Sequence, residues 1–528
     1  MSGSTHDVIV IGAGHNALVA AFYLARAGRR PLVLEKQALV GGGAVTTEIH
    51  AGFRCPRFSH EILLDQRIVT DLNLERHGVG LISLPALVCA PSPEGAPLVL
   101  HDDAAASAGS LRSFNSKDAD AYVEFRTAVE RLADLIGTTF ESSPPDIDDP
   151  SAKDLWGLLK AGRRFRSLGS RDSYRLLRWL PMPIGDLMIE WFGNERLRAL
   201  LAGPGLSGTM LGPRSAGSSL VFLFREACRL RAGGRTLRVR GGPGALTAAI
   251  AAAAREAGAE IRTGVSVERI LVADERVTGV VAGGKEISCG TVLSGLDPRS
   301  TFLSLVDAAA LAPEFATRIR NYRAAGTVAK INLALSSLPA FRGVSDPNLM
   351  AGRIHIGPDL DYLERAFDCV KYGEVSTLPW LDITIPSIAD TELAPKGAHV
   401  ASIYTHYAPF APRGLSQDVA KDMLLNNTLG TLDTYAPGIR SLVVGAEVLT
   451  PAELQKARGL SGGHVFHGEL ALDQLFTMRP LLGHAGYAGP IRGLYLCGAG
   501  THPGGFMTGT SGRLAARAVV KHGSAYTL

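Results

Sequence analysis

The chain is poor in cysteine, in aromatic residues, in net charge and in long apolar runs, and each shortage closes off a class of function. Its six cysteines (Cys55, Cys89, Cys228, Cys289, Cys369 and Cys497) are scattered through 528 residues without a CxxC pair. That excludes the redox-active disulfide of a disulfide reductase and offers no zinc-site spacing, so no metal site is expected. Reduced thiols in a cytoplasmic protein are the simplest reading. Aromatic residues are 6% of the chain, too few to favour an aromatic cage around a cation. A net charge of +4, with 20% charged residues, demands no polyanionic or polycationic partner, and a nucleic-acid role is not expected. No run of about 18 apolar residues suggests a membrane span. No charged-then-apolar leader precedes the first strand, so no secretory signal is expected. What is there is a 46% hydrophobic chain long enough for two or three structural units.

Two glycine-rich segments carry most of the information. Residues 7–36, DVIVIGAGHNALVAAFYLARAGRRPLVLEK, read as strand, tight turn, helix, second strand and acidic residue. Gly12 allows the turn, Gly14 lets the backbone approach a pyrophosphate, and Ala17 takes the third small position. The helix start offers free N–H groups and a positive dipole end to phosphates. Glu35 follows the second strand, where a carboxylate can hold the ribose hydroxyls. Gly41, Gly42 and Gly43 come next, then Ala44 and two threonines. That second cluster behind Glu35 resembles the flavoprotein pattern that binds FAD, and NAD dehydrogenases normally lack it.

Further parts follow downstream. Residues 238–297 contain Gly241, Gly242 and Gly244 before an Ala-rich helix, then short strands near 260–262, 267–272 and 277–281, and a closing strand at 291–294. The 241–244 turn lacks a buried strand before it and a ribose-binding residue after it. A second dinucleotide site is therefore not expected, and oxygen or a quinone is the expected electron acceptor. Near the end, LYLCGAGTHPGGFMTGTSGR at 494–513 reads as a strand at 494–497, a glycine loop and a helix over 508–520. A helix N-terminus aimed at a flavin would stabilise charge on the reduced ring.

Together these residues resemble the phytoene desaturase branch of the amine-oxidase-like flavoproteins. They are closer still to the pyridine nucleotide-disulphide oxidoreductase domain-containing protein 2 group, whose relatives include flavin-type carotene ketolases. The stretches that carry the resemblance lie at 11–28, 241–261, 462–480 and 495–513. It implies an α/β fold with a glutathione-reductase-like, discontinuous FAD-binding Rossmann domain and an inserted α+β substrate domain. Residues 6–100, 232–305 and 460–528 would form the first, and 101–231 with 306–459 the second. The cofactor implied is noncovalent FAD, contacted by Gly12, Gly14, His15, Asn16, Ala17, Glu35, Lys36, Gly42, Gly43, Ala44, Val267, Gly498, Gly500, Gly505, Met507 and Thr508. Ala17 stands where relatives often carry glycine.

In the substrate domain, residues 101–231 read as mainly helical, with apolar periodicity clearest over 122–136 and 184–201. Strands are expected at 328–335 and 381–385. Between Lys153 and Arg178 lie eight basic residues against Asp154 and Asp172, interleaved with apolar ones. Either this patch rests on an anionic membrane surface or it is a solvated helical cap, and the cap is preferred. Lys330 is the first catalytic candidate, because in related amine oxidases a strand lysine holds a water near flavin N5; a strand-edge surface lysine is the alternative. His502, in the flavin-facing loop, is the second, against a structural loop histidine. His464 and His467 share a spacing but lack a third metal ligand. The leading expectation is dehydrogenation (desaturation) of a hydrophobic, isoprenoid-like or cyclic substrate by hydride transfer to flavin N5. A flavin amine oxidase, a carotene ketolase and a flavin-binding regulatory protein remain as alternatives. A homo-oligomer is compatible with the sequence.

Overall fold

The computed structural model describes residues 6–525 apart from 60, 148–149 and 236–237. One unit is organised by a five-stranded parallel sheet in the order Leu494–Leu496, Val292–Ser294, Val8–Ile11, Pro31–Glu35, Glu260–Thr263. The central strand is VIVI, buried at every position, as a parallel strand covered on both faces must be. Alternation sends Val8 and Val10 into a layer of helices built from His15–Arg26, Gly242–Glu256 and Thr510–Ala525. Ile9 and Ile11 point the other way, with Ile270, Val280, Phe315 and Ile319. That opposite layer holds a three-stranded antiparallel sheet, Val267–Ala273, Arg276–Ala282 and Lys285–Ser288. Three segments far apart in sequence thus build one Rossmann-like unit, as the motifs implied.

The second unit is a seven-stranded mixed sheet, ordered Val443–Leu449, Val328–Leu335, His399–His406, Leu381–Thr384, Arg353–Ile356, Val88–Ser92, Gly95–Leu100. One face is aliphatic, with Ile331, Leu333, Ile354, Ile383 and Ile403 packed near the Gln417–Tyr435 helix. The other face carries polar residues at the alternating positions: Lys330, Asn332, His355, Asp382, Ser402, Tyr404 and His406. Most of the remaining core is helical, where Ser116–Thr138, Ile184–Trp191, Glu195–Ala202 and Ser218–Arg231 converge.

Two expectations need correcting, and one stretch read as helical divides in two. Residues 88–100, assigned to the FAD-binding part, form the edge of the seven-stranded sheet through the pairing of Arg353 with Val88. The apolar stretch 184–201 is two helices, because Asp118 takes the backbone N–H groups of Gly193 and Asn194 and Asn194 caps the second helix through Leu197 N. The last helix starts at Thr510 rather than Thr508.

Candidate active site

The first turn is built by local geometry. Gly12, at φ +83°, lies where an L side chain is strained, and its N–H reaches Leu34 O at 2.8 Å. Gly14 precedes the His15–Arg26 helix with no side-chain cap, which leaves first-turn N–H groups for a ligand. Gly42 presses on it: a Cβ there would stand 3.1 Å from Gly14 Cα. Glu35 closes the second strand, accepting from Ala13 N at 2.7 Å and Gln37 N at 2.8 Å. Each of its oxygens keeps a lone pair for a hydroxyl donor.

The C-terminal segment reaches the same place. A Cβ on Gly512 would lie 1.9 Å from Asn16 O, so only glycine lets the last helix cross the first turn of the first helix. Buried Arg479 ties the adjoining loops together, donating to the carbonyls of Phe466, Gly468, Glu469, Gln474 and Ala499. A Cβ on Gly504 would run into that guanidinium, which explains the Gly504–Gly505 step physically.

Between these elements lies a cavity of ≈ 420 Å³. Of the residues expected at the cofactor, Gly12, Gly14, His15, Asn16, Ala17, Glu35, Lys36, Gly42, Gly43, Ala44, Val267, Gly498, Gly505 and Met507 all line it. Gly500 and Thr508 do not. Gly500 packs on Pro298, whose Cδ a Cβ would meet at 2.5 Å. The Thr508 carbonyl holds Asp65 N at 3.0 Å, and its hydroxyl accepts from Thr510 N at the last helix.

The two catalytic candidates fare differently. Lys330 is fully buried, not at a strand edge, and stands behind the cavity wall with Nζ 4.3 Å from the ring centroid of Tyr404, which does line the cavity. Burial lowers its ammonium to about 7, against a partial upward pull from Cys55 and Glu447. His502 is not brought to the wall. Its Nε2 pairs with Thr139 O at 2.9 Å and its ring lies between Phe140 and Phe476, so it is a buried structural histidine that burial holds at about 4.

Several wall residues carried no local signal: Phe58, Glu61, Gly208, Val328 and Tyr404 come from segments distant in sequence, whereas Phe466 and His467 lie in the 462–480 stretch that carried the resemblance without being assigned to the cofactor. Asp297 was legible in principle: Asp-Pro at 297–298 is a cap followed by a first-turn proline, and Asp297 accepts from Ser300 N at 2.9 Å. His467 faces the cavity and His464 is buried beside it; no group of metal-ligating side chains occurs among the described residues.

The residues present fit FAD. His15 Nε2, Asn16 Oδ1 and His467 Nδ1 are buried polar atoms without hydrogen-bond partners, all on residues of the cavity wall. Burial, reinforced by His467, lowers His15 to about 3, so its ring is neutral and can offer an N–H. A Cβ on Gly14 would meet no atom within 4 Å, which leaves room for a phosphate against the backbone. The 241–244 turn, by contrast, is filled by the protein itself. Cβ atoms at Gly242 and Gly244 would lie 2.6 Å from Thr46 atoms, so these glycines serve helix packing.

Comparison with known proteins agrees with this geometry. The family model described as flavin containing amine oxidoreductase matches residues 187–520, and an NAD(P)-binding Rossmann-like domain matches 10–69. Pyridine nucleotide-disulfide oxidoreductase domain-containing protein 2 of Rattus norvegicus is 37% identical over 98% of this chain and 93% of its own length. Hydroxyneurosporene desaturase of Rhodobacter capsulatus is 27% identical, covering 98% of each chain. A putrescine oxidase variant superposes with a TM-score of 0.62 at 13% identity over 99% of both chains, a likeness of fold alone. The chain therefore belongs to the flavin containing amine oxidoreductase family, in the pyridine nucleotide-disulfide oxidoreductase domain-containing protein 2 group, and is an FAD-dependent oxidoreductase.

Proposed function

We propose that the chain dehydrogenates a hydrophobic substrate, isoprenoid-like or cyclic, forming a carbon–carbon double bond. The observation that carries this reading is that every carboxylate on the described cavity wall has a partner or a place at the nucleotide. Glu35 holds two backbone N–H groups and turns its remaining lone pairs to the ribose hydroxyls, Glu61 pairs with Arg225, and Asp297 holds Ser300 and Ser461. No carboxylate of the described wall is left over to receive an ammonium group. The wall beyond the nucleotide end is Phe58, Val328, Val465, Phe466 and Phe506, with the last two rings 4.9 Å apart. Such a surface favours hydrocarbon over charge.

FAD bound here supplies the hydride acceptor at N5. The chain's own work is to orient the C–H bond, exclude water and hold the nucleotide noncovalently. The substrate loses a hydride and a proton, and oxygen or a quinone receives the electrons in turnover. We assign the parallel-sheet unit to the cofactor and the seven-stranded and helical unit to the substrate. Lys330 acts as a positioning residue: it fixes Tyr404 from behind and, with its amine near neutrality, holds or releases a proton at Nζ. We place the protein in the cytoplasm; none of its described helices is long and apolar enough to cross a membrane.

The test is anaerobic mixing of the flavoprotein with isoprenoid hydrocarbons and, separately, with primary amines. Bleaching by the hydrocarbon, with a new double bond in the product, is expected. Bleaching by amines alone would move the assignment to amine oxidation. Oxygen incorporated into the product would move it to a ketolase.

A further inference from the structure

We infer that the helix pair Ala152–Ser167 and Gly169–Trp179 is a docking face for an anionic lipid surface. Of the twenty large apolar side chains exposed among the described residues, six lie within residues 155–177: Leu155, Trp156, Leu158, Leu159, Tyr174 and Leu177. Trp156 is 62% exposed and Tyr174 68%, unusual for side chains of this size in a protein with so few aromatics. The first helix buries none of its described residues. It is nevertheless a well-formed helix, started by a reciprocal cap between Ser151 and Asp154. The second helix anchors the pair by burying Leu176 and Trp179 in the helical core. The apolar stripe is therefore displayed on a formed and anchored helix pair, where a solvated cap would turn polar residues outward.

Charge names the occupant. Lys160, Arg163, Arg164 and Arg166 border the stripe, and none of them pairs with a carboxylate among the described residues. Arg171, Arg175 and Arg178, on the second helix, are satisfied by Glu124, Asp172 and Glu190. The one carboxylate on the first helix, Asp154, is used in the cap. Arg163 lies 5.9 Å from the Trp156 ring centroid, a basic group and an amphipathic ring side by side at the rim. A second copy docking through a two-fold axis would bring these four cations against their own counterparts, which opposes self-association. An anionic headgroup layer takes the cations while the leucines and Trp156 enter the acyl boundary. This inference is independent of which substrate the flavin oxidises.

The test uses full-length FAD-loaded protein, sedimented with phosphatidylcholine vesicles with and without phosphatidylglycerol. Binding only to the anionic vesicles, weakened by salt, is expected. The pair Lys160→Gln and Arg163→Gln should weaken partitioning by about 25-fold, since each basic residue contributes about fivefold at such a surface. The pair Trp156→Ser and Leu159→Ser should abolish it. All four positions are exposed, so flavin content and Tm should stay at wild-type values and show that the variants are folded. No binding of the wild type to anionic vesicles, or equal binding by the variants, overturns the inference. So does a dimer that dissociates on Trp156→Ser with Leu159→Ser, which would give the face to a second copy.

Discussion

Replacing Gly14 with alanine separates the cofactor's needs from the fold's. The residue sits at φ −66° and ψ 162°, open to any L residue, so the backbone asks for no glycine. Its Cβ would meet no protein atom within 4 Å, and the residue lines the cavity. The apoprotein should therefore be unchanged or up to about 1 kcal/mol more stable, because alanine restricts the unfolded chain. The bound nucleotide meets the added methyl directly. Overpacking of one methyl costs about 1–3 kcal/mol, which raises the FAD Kd by about 5- to 150-fold. Gly512→Ala gives the contrasting result: its Cβ would stand 1.9 Å from Asn16 O, a backbone atom, so the helix crossing opens and the fold is lost with the flavin. The assay pairs flavin titration of the apoprotein with denaturant unfolding of the same samples. A Gly14→Ala protein that binds FAD with wild-type affinity would refute the placement of the pyrophosphate at this turn.

Other perturbations have distinct signatures. Lys330→Met removes a buried ammonium whose folded value lies near 7 against 10.5 when exposed, so the wild type bears the full cost below pH 7 and sheds it as the pH rises to 10.5. The variant should gain Tm most at low pH, with the gain shrinking across that window, while any limb near pH 7 in the wild-type kcat profile disappears. Asp382→Asn should cost about 3–5 kcal/mol at neutral pH by unfolding, since it leaves a buried charge network broken. Burial raises that carboxyl, but the Arg353 guanidinium and the hydrogen bond from His406 hold it well below the usual range, so the difference persists until strong acid. His502→Ala should lower Tm by a few degrees through the lost bond to Thr139 O while kcat stays within about twofold. NADPH, added anaerobically, should leave the flavin oxidised, because Thr46 fills the Gly242–Gly244 turn that precedes a helix like a second fingerprint.

The cofactor half was legible because its chemistry is local. The turn at Gly12, the acidic end of the second strand at Glu35 and the Gly42 approach all follow from short-range stereochemistry, and all meet at one cavity. The strand at Val328–Leu335 was equally readable, but its place inside the sheet rather than at an edge depends on pairing with His399–His406 and Val443–Leu449, distant in sequence. Residues 88–100 show the limit most plainly. They read as strands, yet nothing in their own pattern says which sheet they join; pairing with Arg353 decides it. His502 sits in the loop that was expected to face the flavin, and a carbonyl at Thr139 turns its ring away. The break at Gly193 and Asn194 carried a readable capping signal that apolar periodicity on either side masked.

The most direct test of the central claim is the visible spectrum of the purified protein during anaerobic titration with an isoprenoid hydrocarbon. The expected result is an FAD spectrum that bleaches stoichiometrically as a double bond forms in the substrate. A colourless protein that takes up no added FAD would contradict the cavity assignment itself, and a bound flavin reduced by amines but by no hydrocarbon would contradict the reaction.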